Sequence, residues 1–355
     1  MIPVEYYKIT YYAIIGFILF FILLHTLKDG SLYASRRFNN IMSLILICIV
    51  ILFLGLRDPM GNWRYLGDTS NYTNLFNNFD PSIHKSEPGF NLLMQFGIDF
   101  LNVRLFYILC ACLYIIPVYI VCRKWFNNYA FYALALHISM ISFWGYGING
   151  IRNGLATSIF IFGFLFYEKK PLMFLCMLAS VTFHNSMILP LLAFVISSFY
   201  KNTRVYTVIW FLAILFSLFF GRIIEDLPFH SLISSAGKVE NFFVNELDGE
   251  IVRREFRIDF IIYSIIPILL GLYYQYKLKF NDVFYIILLN TYIIANSVWI
   301  LLIRAAYTNR IAYLSWFIMS IVIIYPLLKK HLIKYQPQKI ALLILASLIL
   351  TFFYS

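Results

Sequence analysis

Arg152, in INGIRNGLATSIFIF, enters an apolar helix with glycine on both sides and is the residue best suited to chemistry. A guanidinium presents a planar fork of donors that grips phosphate or carboxylate at two points. An arginine at the centre of a bilayer costs about 2.5–3.5 kcal/mol on insertion scales, so a span that keeps one has a use for it. Gly150 and Gly154 let backbone or ligand come close to it. Other arginines stand at other helix mouths. Arg253, Arg254 and Arg257 lie in RREFRIDF, and Arg304 and Arg310 bracket RAAYTNR. Surface ion pairing, worth about 0–1 kcal/mol, is the plainer account of these. Several arginines converging on one site would suit a diphosphate. Arg57, in GLRDP, ends an apolar run, where snorkelling to the interface explains it equally well.

Three groups could take a proton from a substrate hydroxyl: Asp68 in GDTSNY, Glu87 in EPGFNLL and His184 in TFHNSMILP. Each also has a bland account. Asp68 could cap a helix. Glu87 could be held by a helix dipole, at about 0.3–1 kcal/mol. His184 could be a hydrogen-bonded core residue. Tyr72 follows Asp68 closely enough to orient it or to stack on a sugar ring, and Asn185 and Ser186 give His184 polar company. His25 and His137 lack such neighbours and are assigned to structure. The five cysteines (Cys48, Cys110, Cys112, Cys122 and Cys176) all fall in apolar runs and are read as small buried hydrophobes. No metal site and no cofactor is expected: there is no Walker loop, dinucleotide fingerprint, HExxH or CxxC.

The elements that carry these residues must be membrane spans. The chain is 61% hydrophobic and only 13% charged, with a mean hydropathy of +0.78. Soluble domains carry about 25% charged residues. The N-terminus, MIPVEYYKIT, has no basic n-region, so the first span is expected to stay in the membrane. Apolar runs of spanning length fall at 11–27, 40–56, 103–122, 129–144, 151–167, 171–183, 186–199, 205–220, 259–276, 283–302, 311–328 and 340–354. The expected fold is therefore an all-α polytopic membrane protein of about twelve transmembrane helices, in a single integral membrane domain over 1–355.

The connections alternate in charge. With lysine-rich loops inside, 11 of 14 lysines lie on the inner face and 10 of 14 arginines on the outer. The outer set also holds 14 of the 17 acidic residues. The net charge of +11 is then topology, and no nucleic-acid partner is implied. Lysine on the inner face needs no ligand; arginine on the outer face is the functional signal. The outer loop 57–102 is long enough for two interfacial helices. One follows Asp68–Thr69, and the other starts at Pro88 with Phe90, Leu93 and Met94 as its apolar stripe. A second outer loop, 221–258, is expected to hold an amphipathic segment near Val239 to Leu247. Residues 171–199 are flanked by lysines at both ends, so they must turn back at Phe183–His184–Asn185, which places His184 at the floor of an outward-facing vestibule.

GLRDP, GDTSNYTNLF, EPGFNLLMQF, GIRNGLA, FHNSMILP and YTNRIAYLSWF, in that order over about residues 55 to 330, resemble the EpsG-like branch of Wzy-type O-antigen and exopolysaccharide polymerases. The resemblance implies a GT-C-like, metal-independent glycosyltransferase of the bacterial inner membrane, with its site facing the periplasm. Such an enzyme transfers a growing glycan from undecaprenyl diphosphate to the terminal sugar of a new undecaprenyl-diphosphate-linked repeat unit. Its partners would be undecaprenyl-diphosphate-linked oligosaccharides, membrane lipids and a chain-length regulator. Arg152, Arg304, Arg310 and Arg257 would hold the diphosphate. Tyr72 and Asn185 would contact the acceptor sugar. Asp68 is the first choice as base, with Glu87 orienting the acceptor and His184 the next choice or a diphosphate ligand. Another GT-C lipid-linked glycosyltransferase, an O-antigen ligase of lipopolysaccharide biosynthesis, and a lipid-linked glycan flippase are the alternatives. A flippase would carry polar residues along its whole path; here they crowd on one side.

Overall fold

The structure is a computed structural model. It describes residues 3–354 apart from 34, 82–85, 226–245, 248–249, 252–255 and 306–307. The regular secondary structure of the described residues is helical except for one two-residue antiparallel pairing, Glu246–Leu247 with Glu250–Ile251. Of the amphipathic segment expected near Val239 to Leu247, only Glu246–Leu247 are described, in this pairing; the rest of it, and Arg253 and Arg254, lie outside the described residues. Among the described residues, eight helices are long and apolar enough to cross a membrane, and three shorter apolar ones cover 151–166, 170–183 and 185–199. The protein is an all-α polytopic membrane protein.

The chain forms two compact units, Met1–His184 with Leu327–Ser355, and Asn185–Pro326. The first unit holds α1 (Val4–Asp29), α2 (Arg36–Gly55), α3 (Trp63–Leu66), α4 (Thr69–Asn77), α5 (Pro88–Phe100), α6 (Val103–Phe126), α7 (Ala130–Ile138), α8 (Ile141–Ile148), α9 (Ile151–Gly163) and α10 (Lys170–Phe183). Local chemistry sets the ends. Gly30 closes α1 at φ +67°, a left-handed conformation that glycine adopts without cost. Ser35 and Asn102 cap α2 and α6 by accepting from Phe38 N–H and Leu105 N–H. Helix α5 begins at Pro88, as expected, but its buried stripe is Phe90, Met94 and Gly97. Leu93 is only half-buried, because Gly97 lets the helix roll onto the Phe106 ring of α6.

The run 129–144, expected as one span, is broken at Ser139–Met140 into α7 and α8. A break at membrane depth survives only when its backbone groups find partners inside the protein. Thr351 Oγ1 donates to Ser139 O at 2.6 Å, Tyr114 Oη to Phe143 O at 3.0 Å, and Arg57 Nη1 to Gly147 O at 2.7 Å. The broken helix leads directly into the turn before Arg152.

The second unit holds α11 (Ile188–Phe199), α12 (Thr203–Glu225), α13 (Ile258–Leu272), α14 (Val283–Leu301), α15 (Thr308–Trp316) and most of α16 (Met319–Lys329). The last helix, α17 (Gln336–Tyr354), returns to the first unit. Helix α14 is buried along its length. Its Asn296 accepts from Trp210 Nε1 at 2.7 Å and donates to Ser264 Oγ and Ser315 Oγ. Trp316 Nε1 also donates to Ser264 Oγ. A closed polar network of this kind ties apolar helices together where lipid supplies no hydrophobic drive.

Candidate active site

Glu87 is 2% exposed and stands immediately before Pro88, the first residue of α5. It occupies the helix N-cap position without a side-chain capping bond. Its carboxylate turns instead toward α9, where Arg152 Nη1 donates to Oε2 at 2.5 Å. The other oxygen, Oε1, lies 3.8 Å from Nε2 of His184. That separation is an ion-pair contact and is too long for a hydrogen bond. One buried carboxylate therefore faces both an arginine and a histidine from two other helices.

Close approach makes this possible. A Cβ on Gly89 would collide with Thr182 Oγ1 and the Phe183 ring, so only glycine lets the start of α5 meet the end of α10 beside His184. His184 is where α10 stops, in extended backbone, and a short 3-10 turn from Asn185 to Met187 leads into α11. The turn expected at 183–185 is present. Beside Arg152, Gly154 leaves room for the Tyr146 carbonyl and the Tyr114 ring, so the space expected for backbone or ligand is taken by backbone and core.

The Arg152 side chain is 35% exposed, and its Nε has no partner among the described residues. It is held on one side and open on another. Tyr72 lies beside the guanidinium, and the Phe90 ring centroid is 6.0 Å from Cζ. Tyr72 and Phe90 pack edge to face at 6.2 Å, so α4 and α5 together wall this side of the site. Arg152, Glu87, His184 and Tyr72 are thus brought together as one cluster.

Asp68 is placed differently. Its N–H donates to Asn149 Oδ1 at 2.9 Å, and its half-buried carboxylate accepts from Asn71 Nδ2 at 3.4 Å. Gly67, at φ +52°, fits against the same Asn149 side chain. The start of α4 is therefore docked on the 147–150 turn, three residues ahead of Arg152.

Arg57 was equally explained by snorkelling, but it is 1% exposed and points inward. Its guanidinium stacks on Tyr107 at 4.3 Å and reaches Gly147 O, a carbonyl in the last turn of α8 that has no helical donor of its own. A helix C-terminus carries about half a negative charge, which favours a cation there. Asn149 and Arg57 together fix the turn that aims Arg152. Asn149 carried no signal in the sequence beyond being polar between glycines. Replacing Arg57 with methionine should remove the Gly147 tie, lower the melting temperature of the purified protein, and reduce activity roughly tenfold or more. Unchanged stability and activity in that variant would show that the turn does not depend on Arg57.

In the second unit, Arg257 is gripped at two points by Asp259, at 2.9 and 2.6 Å, and lies over the Phe260 ring. Arg304 lies over Phe256, and its Nε has no partner among the described residues. Arg257 and Arg310 both lie near half-buried Tyr313. These three arginines therefore gather around Phe256, Phe260 and Tyr313 within that unit, and Arg257 is already neutralised by its neighbour. Asn185 is half-buried at the start of the 3-10 turn. No group of three or more potential metal ligands occurs among the described residues.

Against known families, the model of the EpsG family matches residues 40–355, which includes every residue of the cluster. The chain belongs to the EpsG family. No curated protein and no solved structure matches it. Membership in the EpsG family points to an exopolysaccharide-related, glycosyltransferase-like polymerase embedded in a membrane. The candidate site is carried by EPGFNLL, GIRNGLA and TFHNSM, which supply Glu87, Arg152 and His184.

Proposed function

We propose that this EpsG-family protein is a polysaccharide polymerase of the bacterial inner membrane. It transfers a growing glycan from undecaprenyl diphosphate to the terminal sugar of a new undecaprenyl-diphosphate-linked repeat unit at the periplasmic face. The observation that carries the proposal is the cluster itself: a half-open arginine, a buried carboxylate that orients it, and a histidine at the same carboxylate. A leaving diphosphate needs donors aimed at the charge it develops, and that is often the largest single catalytic contribution. Arg152 supplies them through the guanidinium N–H groups that Glu87 leaves open on its exposed side. The acceptor hydroxyl attacks the anomeric carbon as the bond from that carbon to the diphosphate oxygen breaks. The hydroxyl proton passes to a base, and undecaprenyl diphosphate departs.

His184 fits the base better than Asp68. It faces Glu87, whose negative charge favours the imidazolium formed when the proton arrives. Asp68 is occupied at the start of α4 and positions the turn before Arg152. Arg257, Arg304 and Arg310 supply a second candidate diphosphate cluster in their own unit. Tyr72 and Asn185 are proposed to contact the acceptor sugar. The lysine–arginine sorting supports the periplasmic placement.

Purified protein in detergent, supplied with lipid-linked repeat units and no nucleotide or ion gradient, should build glycans many repeats long. Translocation without elongation would favour a flippase. Transfer of the glycan only to lipid A-core would favour a ligase. Addition of one sugar from a monophosphate lipid would favour another lipid-linked glycosyltransferase. Any of the three would overturn the proposal.

A further inference from the structure

A second concavity lies in the first unit, and no residue of the arginine–glutamate–histidine cluster lines it. It is a cleft of about 520 Å³ formed where α1 ends, α16 ends and α17 begins, with Tyr129 at one side. Lys329, Lys330 and His331 line it, with Tyr335, Gln336 and Gln338; no aspartate or glutamate does. Asp29, one residue from the cleft in sequence, is engaged with His25 at 2.7 Å.

The cleft is built, not incidental. Gln336 is buried, and its amide holds three backbone groups of the loop between α16 and α17 and one in the last turn of α16. Nε2 donates to Leu327 O and Lys330 O, and Oε1 accepts from Leu332 N–H and Ile333 N–H. This brace fixes the loop that carries the two lysines and the histidine. On the opposite wall, Gly30 at φ +67° lets the Gln338 amide come close enough that a Cβ would stand 2.7 Å from Nε2. Gln338 Oε1 is buried beside the cleft and accepts no hydrogen bond among the described residues. A buried acceptor without a donor calls for a hydroxyl, an N–H or a water.

Depth identifies the ligand class. The three helices that meet here are membrane-crossing helices at their ends, so the cleft stands at the level of lipid headgroups. Topology explains lysine on this face, but it explains neither the brace nor the open acceptor. Basic clefts between helix ends at that level suit anionic headgroups, each lysine near the surface contributing about 1 kcal/mol to anionic lipid binding. We propose that this cleft binds a phosphate-bearing ligand, with Lys329, Lys330 and His331 on the phosphate and Gln338 Oε1 accepting from a ligand hydroxyl. The headgroup of phosphatidylglycerol is the source that the depth favours; free phosphate or a soluble phosphate ester is the other.

The test uses the full chain, purified and delipidated in detergent, with melting temperature as the readout. Phosphatidylglycerol in mixed micelles should raise it by at least about 2 °C, and phosphatidylcholine should not. The exposed pair Lys329→Gln/Lys330→Gln should lose at least half of that shift while keeping the unliganded melting temperature. If the pair proves unstable, Gln338→Leu should lose the preference for phosphatidylglycerol over phosphatidic acid, which lacks the glycerol hydroxyls. Protection by inorganic phosphate or glycerol 1-phosphate at millimolar concentration would assign the site to a soluble ligand; no protection by either, with protection by the lipid, assigns it to the headgroup. Equal shifts in wild type and variants, or equal protection by phosphatidylcholine, would overturn the proposal.

Discussion

Replacing Arg152 with alanine is expected to abolish long-chain glycan and leave single-repeat product, with the protein still in the membrane. Removing one preorganised donor from a site of developing negative charge typically costs 10²–10³-fold in rate, about 2.7–4 kcal/mol. Arg152 supplies several donors at once, so the loss should reach or exceed that range. Arg152→Lys should recover little. An ammonium can meet Glu87 or the phosphate, but it lacks the fork that meets both. One complication can be separated out. Without Arg152, a carboxylate that is 2% exposed loses its partner, and stranding a buried charge costs about 3–5 kcal/mol of stability. The double variant Arg152→Ala/Glu87→Gln removes that charge. It should restore the melting temperature towards wild type and remain without polymer. Glycan length on gels, normalised to membrane abundance, reads the result. Normal chain length in a stable Arg152→Ala protein would end the diphosphate assignment.

The second large effect is expected at Glu87. It contacts no substrate in the proposed scheme and acts through Arg152 and His184. Glu87→Gln keeps the shape and one acceptor oxygen but removes the charge. A hydrogen bond to a charged group contributes about 1.5–3 kcal/mol, so turnover should fall roughly ten- to hundredfold. Without the carboxylate, Arg152 is no longer held for the leaving diphosphate, so the loss should appear in kcat with KM little changed. Glu87→Asp retains charge but shortens the reach, and should recover activity in part. A merely structural role would lower the melting temperature in Glu87→Gln while leaving kcat per folded protein unchanged. That result would return Glu87 to the status of a helix-end residue.

Much of this was legible in the chain. Hydropathy located the apolar helices but not the breaks within the runs 129–144 and 311–328, and two helices of the 57–102 loop begin at Thr69 and Pro88 as expected. The turn at His184 followed from counting lysines on either side of it. What hydropathy could not show is pairing across distance. Glu87 and Arg152 are 65 residues apart, and nothing local distinguishes a carboxylate that caps its own helix from one that turns to another. The same limit hid Arg57. An arginine after an apolar run looks the same whether it reaches out to water or in to a stranded carbonyl. The break at Ser139 was hidden for the converse reason: the residues around it are mostly apolar, and its stabilising partner, Thr351, lies 212 positions away.

The buried Glu87 also sets an order of assembly. When the ribosome has delivered the 57–102 segment, neither residue 152 nor residue 184 has been made. A bare carboxylate cannot leave water at that stage, since an isolated buried charge is far too costly. Helix α5 must therefore wait outside the bilayer until α9 arrives with its guanidinium and α10 brings the contact surface at Thr182 and Phe183. The Glu87–Arg152 pair thus acts as a late checkpoint in biogenesis, and chains stopped before residue 152 should expose α5 to added protease.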